Sequence, residues 1–584
     1  MRSIDILLRQ NLEVRRKTGS GSLVFATSCG HGRAQAAYPP CRKLRLTATD
    51  DLKLHLQAAK SFRSGIANQT LIRPCMEPGG VEIGGYLILG LLRESGRFMA
   101  FLDDRGRHGA SSGPRGCQTT RPAEASFMGQ DLGSRIAAGS IRRTFSIALA
   151  LALLPLGDAV ATPTALVAAR IIDGRSDTVS PHTVVLVEGD RITALGGREI
   201  IPTGATVIEL GDATLMPGMI NAHEHPLMYA SDYQQAHLAN SSAYKALMGL
   251  AGLQRLLLAG WTGVRVMGDA DVFYANQDLR RAIDSGVFIG PRITGAAHYI
   301  SITGGGGDIN YLSPEQHVRA DGLVADGPEE IRKAIREEIK YGSDWIKLLV
   351  TGAFESVGDD PRNIAFSPEE LRAAVEEANR HGVPVAAHAH ATEGIKQAVA
   401  AGVRSIEHGT YIDDETMRMM AKRGTFLVPT VYLGDYYEES EEKLRAQDKN
   451  DEYIKHGRKD FLAAIARAHR TGVKVVVGLD LGVNIADPHV YAREFAVFVE
   501  AGMSPMAAIQ AGTRVAAELM RWDDRLGTLE RGKLADVIAV SGNPLADIKA
   551  LEQVSMVMLN GRVLKRPGEQ LSLAGRLPAP QSGR

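Results

Sequence analysis

Between residues 215 and 520 short apolar runs alternate with amphipathic stretches, and the alternation yields eight candidate strands. Those runs are residues 215–222, 263–267, 292–296, 345–350, 383–387, 404–407, 426–431 and 473–479. Parallel neighbours in a sheet need a crossover of a dozen or more residues, so this rhythm specifies a parallel sheet with helical connections. Helical patterns at 328–341, 367–381 and 392–401 fill the gaps, and several end at Gly, a residue that stops a helix. Eight βα units over about 300 residues fit one closed (β/α)8 TIM barrel of the α/β class, spanning 216–525. Its active site is then expected at the C-terminal ends of the strands.

The flanks read differently. Apolar residues alternate with period two in 166–172, 183–187 and 191–195, punctuated by Asp173-Gly174 and Gly189-Asp190. A matching set closes the chain at 536–540 and 554–559, with the turn Asn560-Gly561. Both ends are expected to pair in one small β-sandwich domain built from 162–215 and 526–566, followed by a tail, 567–584.

Further upstream, Arg142-Arg143 precede an apolar run at 145–156 and then Ala159-Val160-Ala161. Basic flank, short apolar core and small residues are the layout of an export signal, and the run is too short to span a bilayer stably. We read 128–161 as a signal peptide starting at Met128, with residues 1–127 a non-native or disordered upstream extension lacking sustained periodicity. Cleavage near Ala161 then delivers a periplasmic or secreted protein with no stable membrane anchor in its mature form. Arg-Arg-Thr-Phe at 142–145 also resembles a twin-arginine signal.

Composition narrows the chemistry. Lys and Arg number 67, as do Asp and Glu, so bulk charge points to neither nucleic acid nor an anionic membrane. The four cysteines, Cys29, Cys41, Cys75 and Cys117, all lie upstream, so any metal in the barrel must be held by His, carboxylate or modified Lys. Such residues gather at the predicted strand ends: His223-Glu224-His225, Lys347, His388-Ala389-His390, Glu407-His408 and Asp480. Alternate strand residues face the same way, so His223 and His225 share a face. Lys347 interrupts Trp345-Ile-Lys-Leu-Leu-Val, where burial disfavours an ammonium. A neutral amine there can take up carbon dioxide and become a carbamate, an oxygen ligand able to bridge two cations.

With these residues the sequence resembles the amidohydrolase superfamily, in its binuclear branch related to Xaa-Pro dipeptidases and ochratoxin-hydrolysing amidases. The resemblance spans about 164–565 and rests on Leu215 through His225, Asp344-Trp-Ile-Lys-Leu, the block from His388 through Ser405-Ile-Glu-His-Gly-Thr, and Gly478-Leu-Asp. It implies a first divalent ion on His223, His225 and Asp480, a carbamylated Lys347 as bridge, and a second ion on His388 and His408. Within strand five either His388 or His390 could be the ligand; we take His388 as ligand and His390 as pocket. Nitrogen and oxygen donors suit Zn and also admit Mn or Co.

Two departures stand out. Gly306 occupies the Gly-rich stretch 301–308 where such proteins often carry His, and Gly-Leu-Asp replaces the usual Gly-Thr-Asp before Asp480. The implied mechanism is attack by a metal-bridging hydroxide, with Asp480 as general acid/base and His390 and Tyr432 contacting the carbonyl oxygen. Gly304, Gly305 and His489 are further substrate-contact candidates. The implied substrate is the amide of a dipeptide or N-acyl amino acid, of Xaa-Pro or ochratoxin type, and the implied assembly a homo-oligomer. A deaminase or cyclic-amide hydrolase resembling imidazolonepropionase is the alternative; such enzymes use one metal and no carbamylated lysine, so Lys347 discriminates.

Overall fold

The computed structural model describes residues 162–569, apart from 231, 355, 440–457 and 483–486, and the backbone of six strands ahead of them. The expected signal segment, 128–161, and the tail from 570 onward lie outside these residues. Two compact units are formed, Met1–Thr144 and Phe145–Arg584. In the first, strands β1 (Leu12–Arg16), β2 (Leu23–Thr27) and β3 (Leu44–Arg45) make one antiparallel sheet. Strands β4 (Thr70–Ile72), β5 (Leu87–Glu94) and β6 (Arg97–Asp104) make another, in a region where the sequence shows no sustained period.

The second unit begins with β7 (Thr164–Val167), β8 (Arg170–Ile171), β9 (Val184–Glu188), β10 (Arg191–Gly196), β11 (Thr206–Glu209) and β12 (Ala213–Pro217). It ends with β22 (Val537–Ser541), β23 (Val554–Leu559) and β24 (Arg562–Lys565). One sheet runs β10-β9-β7-β11; the other runs β24-β23-β22-β12-β8, so the two ends of the chain do share a sheet. Leu166, Val185 and Ile192 of the first sheet and Leu215, Val537 and Met556 of the second belong to one buried apolar cluster. The hairpin β23–β24 turns at Asn560-Gly561, both at positive φ (51° and 70°), the backbone that a two-residue turn requires.

Between these flanks lie two parallel sheets. The first is β13 (Met219–Glu224), β14 (Trp261–Met267) and β15 (Arg292–Ala296). The second contains β16 (Tyr299–Ser301), β17 (Leu323–Val324), β18 (Ile346–Leu349), β19 (Val385–Ala389), β20 (Ser405–His408) and β21 (Phe426–Val428), in the order β17-β16-β18-β19-β20-β21. Backbone hydrogen bonds join them: Asp344 N–H, two residues before β18, to Gly295 O of β15, and segment 473–480, which bonds both Leu427 and Ala222. Helices cover the outside. Pro368–Arg380 is typical: Ser367 and Glu370 form a capping box, and Leu371, Ala374, Val375 and Ala378 turn inward.

Two expectations are corrected, and two strands are added. The run 215–222 is two strands divided at Gly218, where a Cβ would sit 2.1 Å from Thr262 Oγ1; β12 joins the flanking sheet antiparallel to β22, and β13 starts the parallel one. Segment 473–479 carries a single parallel bridge, Leu427 to Val475, instead of a ladder. Strands β16 and β17 were not foreseen, being only three and two residues long.

Candidate metal centre

Every parallel strand that was expected to end in a metal-type residue delivers it to one place. A cavity of about 150 Å³ is lined by His223, His225, Lys347, His388, His390, His408 and Asp480. The side chains form two groups, His223 with His225 and Asp480, and His388 with His390 and His408, with ligand-type atoms within 4.8 Å of one another inside each group. His225 Nε2 is 3.1 Å and His223 Nε2 3.6 Å from Asp480 Oδ1, and the two imidazole Nε2 atoms are 3.2 Å apart.

The backbone is bent to achieve this. His408, Thr430 and Asp480, at the ends of three successive strand segments, have φ of 70°, 50° and 58°. Non-glycine residues avoid that region, and its cost persists where the surroundings over-determine it, typically at functional sites. Asn221 ties the first strand end to the last: its Oδ1 accepts from the N–H of His223 (3.0 Å) and of Leu479 (3.2 Å).

Each imidazole is held by its other nitrogen. His223 Nδ1 meets Glu407 Oε2 at 2.8 Å, and His225 Nδ1 donates to Gly268 O. Both rings therefore turn Nε2 toward Asp480, the atom each would offer a cation in place of a proton. In the second group His408 Nδ1 lies 2.8 Å from Thr430 Oγ1, His390 Nδ1 lies 2.6 Å from Thr410 Oγ1, and His388 Nε2 lies 3.1 Å from Gly352 O.

Electrostatics agree with this picture. Burial pushes His223, His390 and His408 well below the usual imidazole range, and burial together with Lys347 brings His388 to about 4. They are neutral, ligand-competent rings near pH 7. Burial works against ionisation of Asp480, but His223, His225 and Lys347 outweigh it and hold the carboxyl at about 2. Burial lowers His225 most of all, yet the hydrogen bond to Asp480 leaves it raised. Lys347 is 1% exposed, and burial lowers its amine to about 8. Among the described residues no carboxylate lies within 4 Å of its Nζ; its hydrogen-bond neighbour is His223 Nε2 at 3.4 Å. A buried amine so placed suits conversion to an anionic oxygen ligand. The donor set, nitrogen and oxygen without sulfur, fits divalent first-row ions.

Other expected residues fall elsewhere. Tyr432 opens the helix Tyr432–Glu439 outside the cavity lining, and its hydroxyl accepts from Arg493 Nη1 at 3.0 Å. Gly304 and Gly305 stay off the lining while Gly306 is on it. His489 sits in the 3-10 turn Pro488–Ala492, also off the lining. Sequence reasoning missed the polar residues beneath the site. Glu407 was read only as a strand end, and Arg265 not at all, although a charge inside the apolar run 261–267 was a visible signal. The hydroxyls of Thr351, Thr410 and Thr430, which fix His390 and His408, gave no such signal.

The sequence profile of the amidohydrolase family matches residues 214–564. Ochratoxinase of Aspergillus niger is 32% identical over 443 residues, which cover 69% of this chain and 87% of that protein. Among solved structures, a Xaa-Pro dipeptidase with methionine bound in its active site is 34% identical, with a TM-score of 0.64 over 69% of this chain and all of that one. A prolidase complexed with N-methylphosphonate-L-proline is 29% identical, with a TM-score of 0.61 over 69% of this chain and all of that one.

Proposed function

The chain belongs to the amidohydrolase family and is a hydrolase acting on carbon–nitrogen bonds, and we propose that it cleaves the peptide-like amide of a dipeptide or N-acyl amino acid in a metal-dependent reaction. The observation that carries this reading is the pair of ligand groups with Lys347 buried beside them. In this reading the joined parallel sheets are one (β/α)8 barrel, the flanking sheets a β-sandwich, and the segment 128–161 an export signal.

His223, His225 and Asp480 would hold one divalent ion, His388 and His408 a second, with Lys347 as the carbamate between them. When bound, such ions polarise the scissile carbonyl and make a water acidic enough to attack near neutral pH. The remaining work falls to the protein. Asp480, ionised at neutral pH, takes a proton from the attacking water and returns it to the leaving nitrogen as the C–N bond breaks. In this reading Thr410 Oγ1, 2.6 Å from His390 Nδ1, is the donor, and the ring proton then sits on Nε2, where it bonds the carbonyl oxygen as charge develops. Phe354 packs edge-on against His390, ring centroids 4.7 Å apart, and with Phe461 and Leu433 gives the cavity an apolar wall for a side chain. Xaa-Pro dipeptides and ochratoxin-type amides, the substrates in the names of the relatives, are the first to try.

Elemental analysis of the purified chain and of Lys347→Ala, beside hydrolysis of Xaa-Pro and N-acyl amino acid panels, tests the proposal. Two ions per chain, lost in the variant together with amide cleavage, are expected. One ion unaffected by Lys347→Ala would instead favour the deaminase or cyclic-amide reading.

A further inference from the structure

Directly beneath the ligands lies a buried polar layer that composition alone would place on a surface. Arg265, on β14, and Glu407, on β20, are both fully inaccessible to solvent. Arg265 Nη2 lies 2.9 Å from each Glu407 oxygen, its Nη1 donates to Ser405 Oγ at 3.0 Å, and its Nε donates to Ala222 O at 2.6 Å. Its guanidinium stacks 4.5 Å from the ring centroid of Trp345, one residue before β18. One side chain therefore ties together β13, β14, β20 and the entry to β18, the strand that carries Lys347.

A buried carboxylate is costly unless paired and fully hydrogen-bonded. Glu407 meets that condition: Oε1 receives Arg265 and Ser405, and Oε2 receives Arg265 and His223 Nδ1. The guanidinium keeps its charge at any working pH, so the Glu407 carboxylate facing His223 is held in direction by a permanent cation. Among the described residues no carboxylate hydrogen-bonds a ring of the second histidine group, the Asp480 Oδ2 atom standing off at 3.9 Å from His408 Nδ1. There the ring nitrogens meet threonine hydroxyls and a peptide carbonyl.

We propose that Glu407, set by Arg265, is a positioning residue that fixes the Nδ1–H tautomer of His223 and thereby strengthens cation binding at the His223/His225/Asp480 group alone. The inference rests on the two-ion reading above. A carboxylate behind an imidazole ligand makes the ring more basic and pre-oriented, and losing such a partner typically weakens metal affinity about 10–100-fold.

The test compares the full chain with Glu407→Gln, which keeps the shape and removes the charge, and with Arg265→Met/Glu407→Gln, which removes both charges if the single variant leaves an unpaired arginine that prevents folding. Zn occupancy is titrated against a chelator, with Co substitution and its absorption spectrum to distinguish the two groups. Expected is a wild type with two ions and variants in which one ion is released at about 10–100-fold lower chelator concentration while the other is unchanged. A merely structural role would lower the melting temperature and leave both affinities alone, and that result overturns the proposal. Equal weakening of both ions overturns it as well, without touching the two-ion reading. A wild type that binds no cation overturns both.

Discussion

His388 and His390 stand with ring centroids 4.5 Å apart and planes at 84°, both within reach of His408. His388 on β19 and His390 one residue past its end are two positions apart in extended backbone and face the same way, which is why spacing alone could not choose between them as ligand. Their partners can. His388 donates Nε2–H to Gly352 O, which leaves Nδ1 as a lone pair, whereas Thr410 holds His390 Nδ1. His388→Ala is expected to lose one bound ion. His390→Ala is expected to keep both and to lower kcat by roughly 10²–10³, the usual cost of removing a donor to a developing oxyanion. Elemental analysis and steady-state kinetics on the two variants check this, and loss of metal only from His390→Ala reverses the assignment.

Gly478 is where the last strand segment passes the first. A Cβ there would lie 2.4 Å from Val428 Cγ1 and 2.9 Å from His223 Cβ. Gly478→Ala should therefore push β13 and its histidines outward, costing about 1–3 kcal/mol by overpacking. Activity should fall along with the melting temperature because the displaced residue is a proposed ligand. A variant with wild-type stability and turnover would show that the strands separate freely at this point.

The legibility of the sequence followed local contrast. Apolar runs ending in His, Lys or Asp announced the strand ends, and all six proposed ligands line one cavity. The partners of those ligands were less visible. Arg265 and Glu407 are charged-type residues within apolar strands, and only pairing between the two parallel sheets, 142 positions apart in sequence, makes their burial tolerable. The divided strand at Gly218 was hidden because apolar residues continue across the break, and the missing ladder at 473–479 because an apolar run cannot report hydrogen bonds. Tyr432 was placed by its position after an apolar run, yet the helix beginning there carries its hydroxyl to Arg493.

That placement makes Tyr432→Phe informative. Arg493 bonds the hydroxyl and packs on the ring, its guanidinium 5.8 Å from the centroid, and also reaches Glu552. Removing the hydroxyl should cost about 1 kcal/mol of stability through the lost hydrogen bond. It should leave kcat/KM nearly unchanged. A large drop in kcat at unchanged stability would return Tyr432 to the reaction.

Glu494 predicts a pH dependence of stability. Fully buried, it accepts the N–H of Val431 at 3.0 Å and of Tyr432 at 2.7 Å, just after the left-handed Thr430. Burial is the dominant influence and raises its carboxyl from 4.5 to about 8, against the pull of those two N–H groups. Between these values the native chain holds a proton that the unfolded chain has released, so the contribution of this group falls as pH rises through the window. Glu494→Gln cannot ionise and escapes that loss. The wild type should therefore lose stability relative to Glu494→Gln as pH climbs from about 5 to about 8, with a flat difference outside it. Thermal melts of both proteins across that range decide the matter: a difference that stays constant, or one that grows in favour of the wild type, means the carboxyl is already ionised in the fold and the two N–H groups outweigh its burial.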